Sequence, residues 1–315
     1  MKVFVTGFTG FLGNYLVEEC IKRKYHVTVF VHSENMKKKK NAISNFLSKG
    51  VKVCYGDIIK FEDVKKALKE NYDIVFHLAS IPKDSPQNFI VDINGTKNLF
   101  RSIKENKIKV KKFLYMSTTN VIGPQKSEHE IDESFVCEPQ TKYGISKYKT
   151  ERLVKKFCKR YEINYIIIRA TRIYGPRDWQ KTFLTYMKLV KMGIITVLDN
   201  LPINLVYVKN LVHGIFLSLH SKNETFIISD ENTHRANEIA NLVEKIIKPK
   251  FFIRVYVPKI LIKVISTITG KFAYGINDVR YSVRKAKQKI NYKDVYSLEE
   301  GLKETISWYK NENML

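Results

Sequence analysis

The sequence predicts an α/β fold, a doubly wound parallel sheet with a smaller C-terminal lobe. Three observations predict it. A glycine-rich turn joins a short apolar run, Lys2-Val3-Phe4-Val5, to an apolar-periodic stretch through Leu16, Val17 and Ile21. Strand-like and helical patterns then alternate through the first half of the chain, which implies a parallel sheet covered on both faces. The residues that carry chemistry gather just after the strand-like runs, where such a sheet keeps its ligand crevice.

The first turn is Thr6-Gly7-Phe8-Thr9-Gly10-Phe11-Leu12-Gly13. Its first glycine lets the chain turn, its second lets backbone approach a pyrophosphate, and its third permits close packing of the following helix, with phosphates at the helix N-terminus. Further strands are expected at Val27 to Val31, Val51 to Tyr55, Ile74 to Leu78, Phe113 to Met116 and Ile163 to Arg169, with helices at 11–24, 61–70, 94–107 and 144–160. Asp57 follows the third strand, Leu78-Ala79-Ser80 the fourth and Ser117-Thr118 the fifth. Beyond Arg169 the pattern turns irregular, with a short apolar run at 205–208 and a strand at Phe226-Ile227-Ile228. The division expected is a dinucleotide-binding Rossmann domain, 1–170 with 202–229, and a substrate-binding lobe, 171–201 with 230–315. Within that lobe, Val255 to Ile268, interrupted by Lys259 and Lys263 after Pro258, reads as an amphipathic helix, with interfacial membrane binding as its alternative.

Composition bounds the function. The 315 residues are 44% apolar, enough for one large core or two modest ones, yet no run approaches the roughly 20 apolar residues of a spanning helix. Met1 leads almost directly into the first strand, so no signal peptide is expected and the cytoplasm is the expected compartment. Cys20, Cys54, Cys137 and Cys158 lack C-x-x-C spacing and read as buried reduced thiols, with no metal site. The net charge of +24 invites a nucleic-acid reading, but the lysines are dispersed, only Lys37-Lys38-Lys39-Lys40 is a tight run, and no helix-turn-helix, zinc or aromatic RNA-binding pattern accompanies them. A nucleic-acid role is not expected.

The second chemical signal is Tyr143-Gly144-Ile145-Ser146-Lys147. If the periodic Ile145, Tyr148, Leu153, Val154 and Phe157 form a helix, Tyr143 and Lys147 sit one turn apart on one face. A phenol titrates near ~10, so acting as a base at neutral pH takes about three units of depression, roughly 4 kcal/mol. A nearby ammonium and an oxidised nicotinamide both favour phenolate. Tyr143 then removes a hydroxyl proton as hydride leaves the same carbon, or returns it to a ketone. A glycine loop and a Tyr-x-x-x-Lys pair together point to hydride transfer.

At this point the chain resembles a family, the extended short-chain dehydrogenase/reductases of the NAD-dependent epimerase/dehydratase group. The residues that carry the resemblance are Thr6-Gly7-x-x-Gly10-x-x-Gly13, Gly56-Asp57, Phe76-His77-Leu78-Ala79, Asn94-Gly95-Thr96-x-Asn98-Leu99, Tyr143-Gly144-x-Ser146-Lys147 and Ile173-Tyr174-Gly175-Pro176. A closing Ser297-Leu298-Glu299-Glu300-Gly301-Leu302, followed by Trp308-Tyr309, extends it over nearly the whole chain.

The resemblance implies a site. Catalysis falls to Tyr143, Lys147 and a hydroxyl that counting assigns to Thr118, with Ser117 and Thr119 as competing assignments. The cofactor is expected on Gly7, Gly10, Phe11, Leu12 and Gly13 of the turn, and on His32, Asp57 and Ile58 near the adenosine. Leu78, Ala79, Ser80 and Ser117 join it at strand ends, with Tyr143, Lys147, Ala170 and Ile173 beside the nicotinamide. Arg172 and Arg177 are candidates for clamping a substrate phosphate, equally readable as structural ion-pair partners. His77 reads as structural.

Departures from the family sharpen the expectation. Dehydratases of the group carry an Asp-Glu pair after the catalytic threonine and the related decarboxylases a Glu. Thr119-Asn120 stands there in this chain, so neither reaction is expected. Where NAD-binding members place an aspartate after the second strand, this chain has Val31-His32-Ser33, which with Lys37 to Lys40 favours NADP(H) ahead of NAD(H). Ala170 replaces a usual proline. The expected function is an NAD(P)-dependent epimerase or oxidoreductase of a secondary alcohol or ketone, foremost on a nucleotide-sugar. The alternatives are an NADP-dependent ketone reductase of the steroid or flavonol type and a catalytically silent NADP(H) binder. A homodimer through the helices near 94–107 and 144–160 is also expected.

Overall fold

The computed structural model describes residues 1–34, 40–81, 83–124, 129–178, 181, 183–198, 202–258 and 279–315. Strand β1 (Lys2–Thr6) leads through the glycine turn into helix α1 (Phe11–Lys22), followed by β2 (His26–His32), α2 (Lys40–Leu47) and β3 (Lys52–Gly56). Next come α3 (Phe61–Ala67), β4 (Tyr72–His77), a π-helical turn (Phe89–Asn94) that runs into α4 (Gly95–Glu105), and β5 (Val110–Thr118). Helix α5 (Lys142–Arg160) and β6 (Asn164–Ala170) complete the alternating part.

These strands form one sheet in the order β3-β2-β1-β4-β5-β6, parallel throughout, with a later strand, Glu224–Ile228, at its edge as the seventh. The fold class is therefore the one the sequence predicts. Val3, Phe4 and Val5 are buried on both faces of the central strand, which is why that segment reads as an unbroken apolar run. Register aligns the strand ends: Thr6 stands opposite His77, and Thr118 opposite Ala170. Strand order reverses between β1 and β4, so the crevice of a doubly wound sheet opens beside Thr6 and His77. On one face the core joins Phe4, Tyr72, Phe100, Phe113 and Val154, and Phe157 stacks on Phe100 with ring centres 3.9 Å apart.

The chain divides into two compact units. The first is Met1–Gly123, Phe135–Ala170 and Ile215–Phe226, and the second is Pro124–Ser134, Thr171–Gly214 and Ile227–Leu315. In the second, β7 (Arg172–Tyr174) and β10 (Leu205–Tyr207) pair in parallel, as do β8 (Ile194–Leu198) and β13 (Ile253–Val257), while β9 (Pro202–Ile203) and β12 (His234–Arg235) pair antiparallel. Its helices include α6 (Leu184–Lys191), α8 (Ala236–Ile247), α9 (Arg284–Ile290) and α10 (Leu298–Asn311). Gly301 of α10 packs so close to Tyr174 that a Cβ there would stand 2.6 Å from the phenol oxygen.

Three sequence expectations need correction. Val255 opens no helix: Ile253–Val257 is the strand β13, its β-branched alternation satisfied by pairing with β8, and residues 259–268 lie outside those described. The run read at 205–208 continues into helix α7 (Val208–Ser218), whose Val208, Leu211, Val212, Ile215 and Phe216 are all buried. Those positions follow the i, i+3, i+4, i+7, i+8 spacing of a helix face, with Lys209 and His213 off it, a period that reading only the four-residue run leaves unseen. Cys20 and Cys158 are buried free thiols, each pushed up to about 12 chiefly by burial, whereas Cys54 and Cys137 are only half-buried. No described helix is long and apolar enough to cross a membrane.

Candidate active site

The site begins at the glycine turn. Gly7 has φ +76°, and a Cβ on it would stand 2.6 Å from the Ala79 amide nitrogen, so only glycine joins β1 to the chain leaving β4. Gly10 donates its N–H to the Gly7 carbonyl at 3.0 Å and ends as the N-cap of α1. No side chain caps that helix and no acid lies in its first turn. Phe11, Leu12 and Gly13 therefore open α1 with amides aimed past its N-terminus, the arrangement that binds a phosphate. Gly13 is the packing glycine, since a Cβ there would meet the Gly7 carbonyl oxygen at 2.3 Å.

Beside this turn, Leu78 N donates to Thr6 O at 3.3 Å and Ala79 N to Thr6 Oγ1 at 3.2 Å. The Ser80 hydroxyl that follows is buried without a hydrogen-bond partner. An open helix terminus, a cradle that any Cβ would fill and an unpartnered hydroxyl are what a dinucleotide requires. At the end of β2, His32 is exposed. Its Nδ1 accepts from Glu34 N at 3.3 Å and its Nε2 lies 3.6 Å from Asp57 Oδ2. Asp57 Oδ1 accepts from Ile59 N at 3.1 Å. Ile58 turns inward, buried against Gly95, and its carbonyl accepts from Asn98 Nδ2 at 3.0 Å. Lys37 to Lys39 lie outside the described residues.

Helix α5 brings the tyrosine to the end of β5. Thr141 caps it, accepting from Gly144 N at 2.9 Å, and Asp84 Oδ1 accepts from Tyr143 N at 2.8 Å. The Thr118 side chain lies at the end of β5 close enough to the Tyr143 phenol to draw its pKa downward, while Thr118 Oγ1 accepts from Asn120 N at 3.2 Å. Its two competitors point elsewhere. Ser117 Oγ donates to the buried Glu151 Oε1 at 2.6 Å, and Thr119 Oγ1 faces Ala170 O at 3.5 Å. Glu151 in turn holds Arg169 through two bonds, Nε to Oε1 at 3.0 Å and Nη2 to Oε2 at 2.8 Å.

Lys147 is buried below the tyrosine. Its Nζ donates to Met116 O at 2.9 Å and lies 5.8 Å from the Tyr143 ring centre and 4.9 Å from that of Tyr115. Burial pulls its pKa down, and Asp92, then Glu151, oppose that pull. The phenol of Tyr143 is pushed up by burial first and the Asp92 charge second, with the Thr118 hydroxyl acting downward. Sequence reasoning missed Asp92 and Asp84. Asp92 lies in the turn ahead of the Asn94-Gly95-Thr96 motif, where only three-dimensional packing shows that it faces Lys147.

His77 is fully buried and neutral, held down to about 3 by burial and by Lys147. Thr96 Oγ1 donates to Asp92 O at 2.5 Å, so it accepts from His77 Nε2 at 2.9 Å, leaving Nδ1 to accept from Thr6 Oγ1 at 2.7 Å. That chain ties β1, β4 and α4 together and makes the residue structural.

The remaining expected residues stand on β6, opposite Thr118, and on or just after β7. Ala170 closes β6, buried. Arg172, exposed, and Ile173, half-buried, stand in β7 of the second unit. Arg177, also there, holds a left-handed backbone with φ +67°.

Known proteins resemble this chain in sequence and in fold. The model of the NAD dependent epimerase/dehydratase family matches residues 3–228. An uncharacterised UDP-glucose epimerase of Bacillus subtilis is 25% identical over 98% of this chain and 98% of its own. A dTDP-D-glucose 4,6-dehydratase of Mus musculus is 25% identical over 98% of this chain and 88% of its own. A UDP-glucuronic acid 4-epimerase from Bacillus cereus, solved in complex with NAD, shares the fold with a TM-score of 0.81, 24% identity and 99% coverage of both chains.

Proposed function

The chain belongs to the NAD-dependent epimerase/dehydratase family, and on that premise we propose that it moves hydride on and off a secondary alcohol of a nucleotide-sugar, as an epimerase or a ketone reductase. The observation that carries the reading is Lys147 Nζ 5.8 Å from the Tyr143 ring centre on one helix, with the Thr118 side chain acting on the phenol from the end of β5 and the glycine cradle two strands along the same sheet. The relatives' own substrates, UDP-glucose and UDP-glucuronic acid, support the nucleotide-sugar.

Gly7, Gly10 and the N-terminus of α1 would hold the pyrophosphate of a nicotinamide cofactor, which when bound would supply a hydride acceptor and donor. Thr118 Oγ1 orients the reacting oxygen. The Tyr143 oxygen takes the hydroxyl proton during oxidation and gives it back during reduction. Lys147, charged, lowers the energy of the phenolate so formed. Arg172 and Arg177 take the substrate's phosphates. Dehydration needs a further acid and base beside Thr118, and Thr119 and Asn120 supply neither, although a relative is a dehydratase.

Cofactor choice separates epimerase from reductase. No carboxylate ends β2, and the exposed His32 leaves room for a 2′-phosphate, which supports NADP(H) ahead of NAD(H) and a reductase that releases it. A silent binder has no use for a phenol set between an ammonium and a threonine hydroxyl. The same reading includes a homodimer through α4 and α5, which light scattering tests.

The deciding experiment is purification without added cofactor, denaturation, and mass spectrometry of the released nucleotide. Stoichiometric NAD identifies an epimerase and overturns the NADP(H) preference. An empty protein that binds NADPH more tightly than NADH identifies a reductase. Turnover of UDP-glucose or UDP-glucuronic acid unchanged by Tyr143→Phe overturns the mechanism.

A further inference from the structure

One charged group at the site has no part in the proton transfer above. Asp92 lies in the π-helical turn before α4, its side chain wholly buried. Oδ2 accepts from Ser146 Oγ at 2.6 Å, while Oδ1 has no hydrogen-bond partner and stands 3.9 Å from Lys147 Nζ. A buried carboxylate oxygen without a donor is costly unless a cation faces it, and a buried ammonium is costly on the same terms.

We infer that Asp92 is the counter-ion that keeps Lys147 protonated and fixed beside Tyr143, a positioning residue for the chemistry proposed above, on which this inference rests. Ser146 alone does not account for the carboxylate, because that hydroxyl occupies one oxygen and leaves the other turned to the ammonium. The remaining charged or titratable groups around Lys147 are otherwise committed. Glu151, one turn along α5, is engaged by Ser117 and by both arms of the Arg169 pair. His77 on β4 is neutral and bridged between two threonines. Tyr115 on β5 and Tyr143 on α5 present rings to Nζ.

The carboxylate acts on both members of the pair, and in opposite senses. It supports the ammonium and opposes the phenolate, so the site holds charge on the lysine while keeping the proton on the tyrosine until another positive charge arrives. A neutral residue at 92 removes both effects together.

The test uses the full chain with lysine labelled with ¹³C at Cε, the Lys147 signal being assigned by its loss in Lys147→Arg. In Asp92→Asn the amide oxygen still accepts from Ser146, so a merely structural role leaves the lysine titration where it was. Loss of a counter-ion lowers the Lys147 midpoint by about one to three pH units, and equal midpoints overturn the inference. If Asp92→Asn does not fold, the wild-type chain answers instead. The Asp92 carboxyl carbon, followed by ¹³C through the alkaline range, shifts at the Lys147 midpoint if the charges face each other, and its failure to shift there overturns the inference. Neither readout depends on turnover, so retained activity in Tyr143→Phe, which would remove the proposed function, is a separate failure.

Discussion

Gly144 lies so close to Asn120 that a Cβ on it would stand 2.6 Å from the Asn120 carbonyl oxygen. This approach lets the first turn of α5 press against the chain leaving β5, and it is what brings the Tyr143 phenol to Thr118. Gly144→Ala therefore pushes the helix start away from the strand end. Misplacement of reacting groups by about 1 Å costs about 100-fold in rate. We expect kcat/KM to fall by about that factor and the urea midpoint to fall too, by the equivalent of about 1 to 3 kcal/mol because the clash is with backbone, which steady-state kinetics and denaturation on the same preparation measure.

Thr118→Ala removes the hydroxyl that draws the phenol's pKa downward. The phenol then titrates higher, so the rising limb of the pH profile moves to more alkaline pH, and the rate at neutral pH falls by about 10-fold to 100-fold. Tyr143→Phe removes the proton carrier itself and costs about 100-fold to 10,000-fold. Cofactor affinity, measured by fluorescence titration, stays within about threefold of wild type in the threonine variant if its role is confined to the reacting oxygen.

The Glu151–Arg169 pair is buried on both sides, with side-chain exposures of 1% and 4%. Glu151→Gln strands a guanidinium in the interior, which costs about 3 to 5 kcal/mol. Pairing it with Arg169→Met recovers much of that loss, because the uncompensated charge is gone. Urea unfolding of the two single variants and the double variant gives the coupling energy.

His77 supplies a pH dependence of stability with a definite sign. Its folded pKa is depressed to about 3, against about 6.5 for an unfolded histidine, so below about 6.5 the unfolded chain binds a proton the folded chain refuses. The stability it contributes is complete above that value and is lost as pH falls towards about 3, at about 1.4 kcal/mol per pH unit at most. In His77→Asn the overall stability is lower, and its slope across this window is smaller by one proton. Chemical denaturation at pH 7, 6, 5 and 4 reads both slopes.

His32→Ala tests the cofactor preference. If the imidazole receives a 2′-phosphate, NADPH affinity falls by about 10-fold at low salt, the equivalent of about 1.4 kcal/mol, and NADH affinity is unchanged. The loss shrinks at higher ionic strength, because His32 is exposed and the interaction is screened. Equal losses for both cofactors would remove the phosphate from the explanation.

Much of this site was legible because its parts are short-range patterns. Gly7, Gly10 and Gly13 declare a turn whose geometry only glycine serves, and Tyr143 and Lys147 declare themselves by one-turn spacing. What stayed hidden depends on contacts between distant segments. Asp92 meets Lys147 across 55 positions, and nothing local marks it. Ser117 and Thr118 are neighbours of similar chemistry, and only their alternation on β5 sends one hydroxyl to Glu151 and the other to Tyr143. Ile58 follows an aspartate at a strand end, yet its side chain fills the gap beside Gly95. Helix α7 was overlooked although its period is local, because its first residues run on from the strand Leu205–Tyr207 without a turn signal between them.

Tyr143 is the second residue of a nineteen-residue helix. A phenolate there is an anion at the positive end of aligned peptide dipoles, a location worth about 1 kcal/mol, or about 0.7 of a pH unit. Lys147 and Thr118 each act through a side chain that substitution can delete. This part of the potential belongs to the backbone, and it follows Tyr143 for as long as the helix begins where it does.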